Sequence, residues 1–260
     1  MKPLKLACAA LLAACSTHAA AVGGLADVTL FDRSDGRQLP VYWHEGRAYV
    51  VGKPGNEYAV RIRNRQREDV LGVISVDGVN VITGETAAAP QSGYVFAPYR
   101  QFDIAGWRKN MASTAAFYFT ALPDSYAART GRPDNVGVIG VAFYRRKAEP
   151  VPLSQPAPFA SGELARKEAS ASAGAAADSQ HTPRAAAERD DRLGTGHGRI
   201  ETSYTRNVGF ERASSAPAET VTLYYDSYRN LVARGVIPQS PPAQRPAPNP
   251  FPGFVGDPPA

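Results

Sequence analysis

Residues 70–82 read Val-Leu-Gly-Val-Ile-Ser-Val-Asp-Gly-Val-Asn-Val-Ile, and this stretch decides the fold. A β-branched apolar run, an Asp77-Gly78 pair and a second apolar run predict two strands joined by a two-residue hairpin. Both central positions of that turn need positive φ, which Gly adopts freely and Asp tolerates. The first arm is apolar on both parities, so it predicts a central strand covered on both faces. Further short apolar runs surround it at 58–62, 93–96, 115–121 and 136–143. About nine or ten short strands with frequent turn signals predict an all-β fold, an antiparallel β-sandwich. No amphipathic helices separate the runs, which argues against a parallel α/β sheet.

Working outward, residues 27–32 alternate and predict a first strand, and Ser34-Asp35-Gly36 a turn. The next strand, near 38–43, contains Pro40, which suits an edge. His44-Glu45-Gly46 turns the chain into 47–51, and Lys53-Pro54-Gly55-Asn56 turns it again. In 58–65, Tyr58, Val60 and Ile62 share one face while Arg61, Arg63 and Arg65 share the other. Residues 93–96 and 102–104, either side of Pro98, predict a bent pair. Phe117 and Phe119 fall on one face of 115–121, with Tyr118 and Thr120 opposite. These elements place the sandwich domain at 24–147.

Composition changes at Ala148. Residues 148–192 are rich in Pro and Ala and predict a linker, partly helical at 162–172 and 185–192, with too little apolar surface to offset the cost of ordering. Residues 193–237 predict a small C-terminal β/α unit. It has strands near 200–206 and 220–225, then a helix opening at Asp226 or Ser227 and ending at Gly235. About forty residues are too few to fold alone, so the unit docks on the sandwich, adding strands or covering an edge. The Pro-rich residues 238–260 predict an extended, disordered tail.

The N-terminus carries an address. Lys2 and Lys5 precede a run of nine apolar residues, 6–14, and Ala19-Ala20-Ala21 offers a small-residue cleavage site. This predicts a signal peptide over 1–21. Leu12-Ala13-Ala14-Cys15 also resembles a lipobox, and on that reading the signal ends at 14 and Cys15 is lipidated. Either route gives an exported protein of the periplasm or outer membrane, touching the membrane only through a lipid at Cys15. Both cysteines, Cys8 and Cys15, lie in the leader, so the remaining chain has no disulfide or thiolate. Without Lys2 and Lys5 the balance is 27 basic to 24 acidic residues, a mild +3 that argues against a nucleic-acid binder.

Several blocks stand together in order: Ser75-Val76-Asp77-Gly78-Val79-Asn80-Val81, Gly93-Tyr94-Val95, Ile104-Ala105-Gly106-Trp107-Arg108, Ser125-Tyr126-Ala127, Asn135-Val136-Gly137-Val138-Ile139-Gly140, Leu193-Gly194-Thr195-Gly196-His197-Gly198 and Tyr225-Asp226-Ser227. The set resembles a family of uncharacterised exported bacterial proteins, over roughly residues 24–238. That resemblance implies one shared architecture; it carries no activity and no catalytic residue.

The candidate sites are few. Arg61, Arg63, Arg65 and Arg67, with Arg145, Arg146 and Lys147, form a basic face that suits anionic envelope polymers or lipid headgroups, or serves as a solvated sheet face. Tyr42, Trp43, Tyr94, Tyr99, Trp107 and Tyr126 lie near turns, either plugging the sandwich ends or stacking on sugar rings. Arg61, Arg63, Arg65, Tyr94 and Trp107 are therefore the candidate binding residues. Arg108 beside Trp107 predicts a structural pairing with Asp103. His44 and Glu45 lack a second ligand cluster, so no metal site and no cofactor is expected. Gly194-Thr195-Gly196-His197-Gly198 predicts a flexible elbow, with a phosphate-cradling loop as the alternative. Asp77 is accounted for by its turn. No nucleophile elbow or spaced triad is present, so the leading expectation is a non-catalytic envelope protein of binding or structural type. Its partners would be envelope polymers or another envelope protein. The alternatives are a glycan- or peptidoglycan-binding module and an envelope hydrolase in which His44 or His197, oriented by Asp77 or Asp226, activates a hydroxyl or water.

Overall fold

The computed structural model describes residues 21–148 and 191–238. The expectations for the leader with Cys15, for nearly all of the linker with its helices, and for all but the first residue of the tail lie outside the described residues. Two mixed-length sheets carry the fold. One contains β1 (Ala26–Asp32), β2 (Arg37–Gln38), β5 (Glu57–Asn64), β9 (Gln101–Ile104), β10 (Gly106–Asn110), β11 (Ser113–Ala121) and β13 (Leu193–Thr202). The other contains β3 (Val41–His44), β4 (Arg47–Gly52), β6 (Val70–Val76), β7 (Val79–Asn80), β8 (Tyr94–Phe96), β12 (Val138–Arg145) and β14 (Glu219–Ser227). Among the described residues every pairing of named strands is antiparallel except that of β14 with β4. The all-β sandwich is as expected.

Alternation explains the core. Tyr58, Val60 and Ile62 of β5 are buried, while Arg63 and Arg65 face solvent. Val28 and Leu30 of β1 and Phe117 and Phe119 of β11 join them from one sheet. Ile74, Val76, Ile139, Val141, Phe143 and Leu223 meet them from the other. The Tyr58 ring stacks on Phe119 with centroids 4.3 Å apart and on Phe117 at 5.4 Å. Such pairs add to area burial because offset rings align their quadrupoles.

The Asp77-Gly78 hairpin forms with φ of 52° and 74°, and Val76 pairs with Val79. Its second arm is only two residues long. Asn80 Oδ1 accepts from the Ile82 and Thr83 amides and turns the chain away. A polar side chain that satisfies local backbone donors competes with the ladder.

The late strands are built into both sheets. β13 pairs along β11, and β14 lies between β4 and β12. The closing helices are short. Ser125 Oγ caps α1 (Tyr126–Arg129) and Ser227 Oγ caps α2 (Tyr228–Ala233), with Gly235 at φ 72° beyond it as the sequence suggests.

Two expectations are corrected. Residues 93–96 and 102–104 do not pair with each other. β8 joins β6 in one sheet and β9 joins β5 in the other, so Pro98 sits where the chain changes sheets. The glycine run at 194–198 is neither an elbow nor an anion loop but the first half of β13. Its glycines are there for packing. A Cβ at Gly194 would lie 2.6 Å from Ser125 Cβ and 2.7 Å from Val136 Cγ1, and one at Gly196 would strike the Tyr118 ring at 2.2 Å.

Candidate functional site

Between β13 and β14 the chain crosses from one sheet to the other as an irregular strap. Its first part is pinned by Ser203 N–H to Ala112 O and Thr205 N–H to Met111 O. Arg108 reinforces this, its Nη1 donating to Ser203 O at 2.5 Å and its Nη2 to Ser203 Oγ at 3.1 Å. The far part is held by Lys147 N–H to Glu211 O and Ala213 N–H to Arg145 O. The strap thereby walls a groove of ≈ 710 Å³ over β6, β8 and β10.

The groove is apolar at its base and cationic along its sides. Leu71, Tyr94, Val95, Phe102 and Phe210 supply carbon surface, and Arg108, Arg146, Arg206 and Arg212 supply charge against one carboxylate, Asp69. Arg146 pairs with Asp69 at 2.8 Å and lies 4.7 Å over Phe210. Arg212 donates to the carbonyls of Gln91 at 2.6 Å and Ala89 at 3.3 Å and stacks 4.1 Å over Tyr144. Arg108 donates to Tyr94 Oη at 3.1 Å as well as to Ser203. Arg108 and Arg212 are thus oriented by neutral acceptors. No carboxylate pairs with Arg108, Arg206 or Arg212 among the described residues. A guanidinium fixed by carbonyls keeps its full charge, and partial enclosure strengthens its pull on an anion.

A second polar cluster lies inside the sandwich. Asp77 is fully buried. Its Oδ1 accepts from Tyr225 Oη at 2.6 Å and Gly137 N–H at 2.9 Å, and its Oδ2 accepts from Thr195 N–H at 2.8 Å. Thr195 Oγ1 in turn lies 2.7 Å from Tyr225 Oη and 2.6 Å from Tyr58 Oη. Each hydroxyl has one proton, and Tyr225 gives its own to the carboxylate. The chain therefore runs in one direction: Tyr58 to Thr195 to Tyr225 to Asp77. Burial pushes Asp77 up to about 6, partly offset by the bonds from Tyr225 and the Thr195 and Gly137 amides. Burial, with the Asp77 charge beside it, pushes both tyrosines well above their usual value. This cluster is sealed from solvent and clamps the two sheets together.

Comparison with family models, curated proteins and solved structures gives no match. The groove and the clamp have to be read from their own chemistry.

Of the residues singled out in the sequence, Tyr94, Arg108 and Arg146 line the groove. Arg61 is held by Asp103 through two bonds of 2.8 Å and lies 4.0 Å over Phe31. That contact takes the partner expected for Arg108. Arg65 pairs with Asp27 at 3.4 Å, and Arg63 is exposed on the same face of β5. Trp107 does not reach the surface: it is 3% exposed, packs edge-on against Phe117, and donates from Nε1 to Gly196 O at 3.3 Å. Trp43 (57% exposed) is on β3 and Tyr99 (56% exposed) is in the turn between β8 and β9, while Tyr42 and Tyr126 are half-buried. The six aromatics do not make one stacking stripe.

His44 has Glu45 at 3.9 Å and meets the Tyr49 ring edge-on at 6.5 Å, and no cluster of three metal-binding side chains exists among the described residues. His197 packs on Tyr126, and burial lowers its pKa, helped by the charges of Lys109 and Arg129. Asp226 caps Leu193 N–H and Ser227 N–H and accepts from Asn230 Nδ2. Neither Asp77 nor Asp226 hydrogen-bonds a histidine among the described residues. The strand expected near 200–206 already ends at Thr202, so Arg206 and Arg212 lie in an irregular segment, where no periodicity says which way a side chain points.

Proposed function

We propose that this is an exported, non-catalytic protein of the cell envelope whose task is to bind an anionic polysaccharide in the groove beneath the strap. The observation that carries the reading is the set of three groove arginines, Arg108, Arg206 and Arg212, with no carboxylate partner among the described residues, beside the Tyr94 and Phe102 rings. Guanidinium forks recognise carboxylates and phosphates, and apolar rings accept the flat face of a sugar. A recessed channel suits an extended chain better than a flat lipid surface.

The export address supports the setting, and the resemblance to exported bacterial proteins agrees with it. Mass measurement of the mature N-terminus separates release after Ala21 from lipidation at Cys15.

The test is retention on immobilised polygalacturonate compared with an uncharged glycan of similar length. Retention on the anionic polymer alone, released by salt, is the expected result. Equal retention on both, or none on either, overturns the reading.

A further inference from the structure

A second depression of ≈ 360 Å³ adjoins the groove, and the two share Asp69 and Arg146. Arg65, Arg67 and Arg145 line it, and Tyr99 forms one wall. Together the two depressions gather seven arginines against two carboxylates, Glu68 and Asp69. Arg65 also meets Asp27 at 3.4 Å, and against these three carboxylates the local excess of four still exceeds the +3 that the chain carries without Lys2 and Lys5.

The second depression is built rather than incidental. Asn64 is fully buried at the end of β5 and organises both of its walls. Its Nδ2 donates to Glu68 O at 2.8 Å and Phe96 O at 2.9 Å, and its Oδ1 accepts from Gln66 N–H at 2.8 Å. Its backbone N–H donates to Arg100 O. One side chain thus fixes the loop carrying Arg65 and Arg67 against the turn carrying Tyr99. Tyr99 itself is held at φ 55° and is 56% exposed. An aromatic residue in the left-handed region is strained, and it persists only where its surroundings impose it. Arg67 and Arg145 have no carboxylate partner among the described residues; Arg145 donates to Gln66 Oε1 at 3.2 Å.

Resting on the groove reading above, we infer that Arg65, Arg67, Arg145 and Tyr99 form a second anion subsite, so that one polysaccharide chain spans both depressions across the Arg146–Asp69 pair. A chain that reaches both sites makes its second contact at high effective concentration. Affinity therefore rises in a step once the oligomer is long enough, rather than in proportion to its length.

Calorimetric titration with oligogalacturonates tests this, using lengths from about two to about ten sugars. The wild-type chain should show a rise of at least about tenfold between short and long oligomers. Arg67→Ala with Arg145→Ala, and separately Tyr99→Ala, should bring the long-to-short affinity ratio close to one. All three side chains are exposed, and thermal melting verifies that each variant is folded. Binding of short oligomers without a step, or a step that survives the substitutions, overturns the second subsite alone. Failure of every oligomer to bind the wild-type chain overturns the groove reading and this inference with it.

Discussion

Tyr225 Oη donates to Asp77 Oδ1 at 2.6 Å across 148 residues of sequence, and through Thr195 the bond reaches Tyr58 in the opposite sheet. Four polar side chains thus lie in the middle of an apolar core, each satisfied by the next. Full satisfaction makes such a network specify one arrangement of the sheets, and partial satisfaction would make it costly.

Asp77 gives the fold an inverted acid response. Its folded pKa of about 6 lies above the unfolded value of 3.8, so the folded state holds the proton more tightly. Stability from this group is full below about pH 4 and is lost as pH rises to about 6, by roughly 3 kcal/mol. Glu57 acts oppositely: its bonds from Arg199 and the nearby Arg33 lower its pKa, so its contribution is lost in acid. Urea unfolding from pH 4 to 7 on wild-type and Asp77→Asn chains isolates the effect. The wild-type should lose stability relative to the variant as pH rises, and a parallel pair of curves contradicts this.

Thr195→Val removes the middle of the hydroxyl chain while keeping the volume and the backbone bond to Asp77. Tyr58 Oη then loses its acceptor in a fully buried site, at a cost of about 1–3 kcal/mol. Adding Tyr58→Phe removes the stranded donor, so the double variant should unfold at higher denaturant than Thr195→Val alone.

The two glycines Gly194 and Gly209 should respond differently to alanine. At Gly194 the new methyl meets Ser125 and Val136 inside the core, which predicts a loss of about 1–3 kcal/mol. At Gly209, on the strap, nothing lies within 4 Å, and the melting temperature should barely move. Thermal melts of the two variants decide it.

Much of the architecture was legible. The Asp-Gly pair announced its turn because few dipeptides supply two positive φ angles, and the Arg/apolar alternation of β5 showed its buried face. The glycine run misleads for a physical reason. A strand of Gly-x-Gly-x-Gly looks flexible until one sees that Tyr118, Ser125 and Val136 fill the space of the missing side chains. Asp77 was absorbed by its turn, since nothing local announces that Tyr225 and Thr195 will converge on it. Arg108 and Arg61 compete for Asp103, and only the pairing of Arg61 with Asp103 across β5 and β9 decides which one wins.

Arg206 gives the cleanest handle on the groove, because it is exposed on the strap and makes no ion pair among the described residues. The measurement is calorimetric titration of polygalacturonate into wild-type and Arg206→Glu chains at roughly 0.01 M and 0.15 M salt, where the screening length falls from about 30 to 8 Å. The account predicts binding to the wild-type that weakens as salt rises, and at low salt an affinity for Arg206→Glu several-fold lower. Equal affinity for the two chains, or binding indifferent to salt, would contradict it.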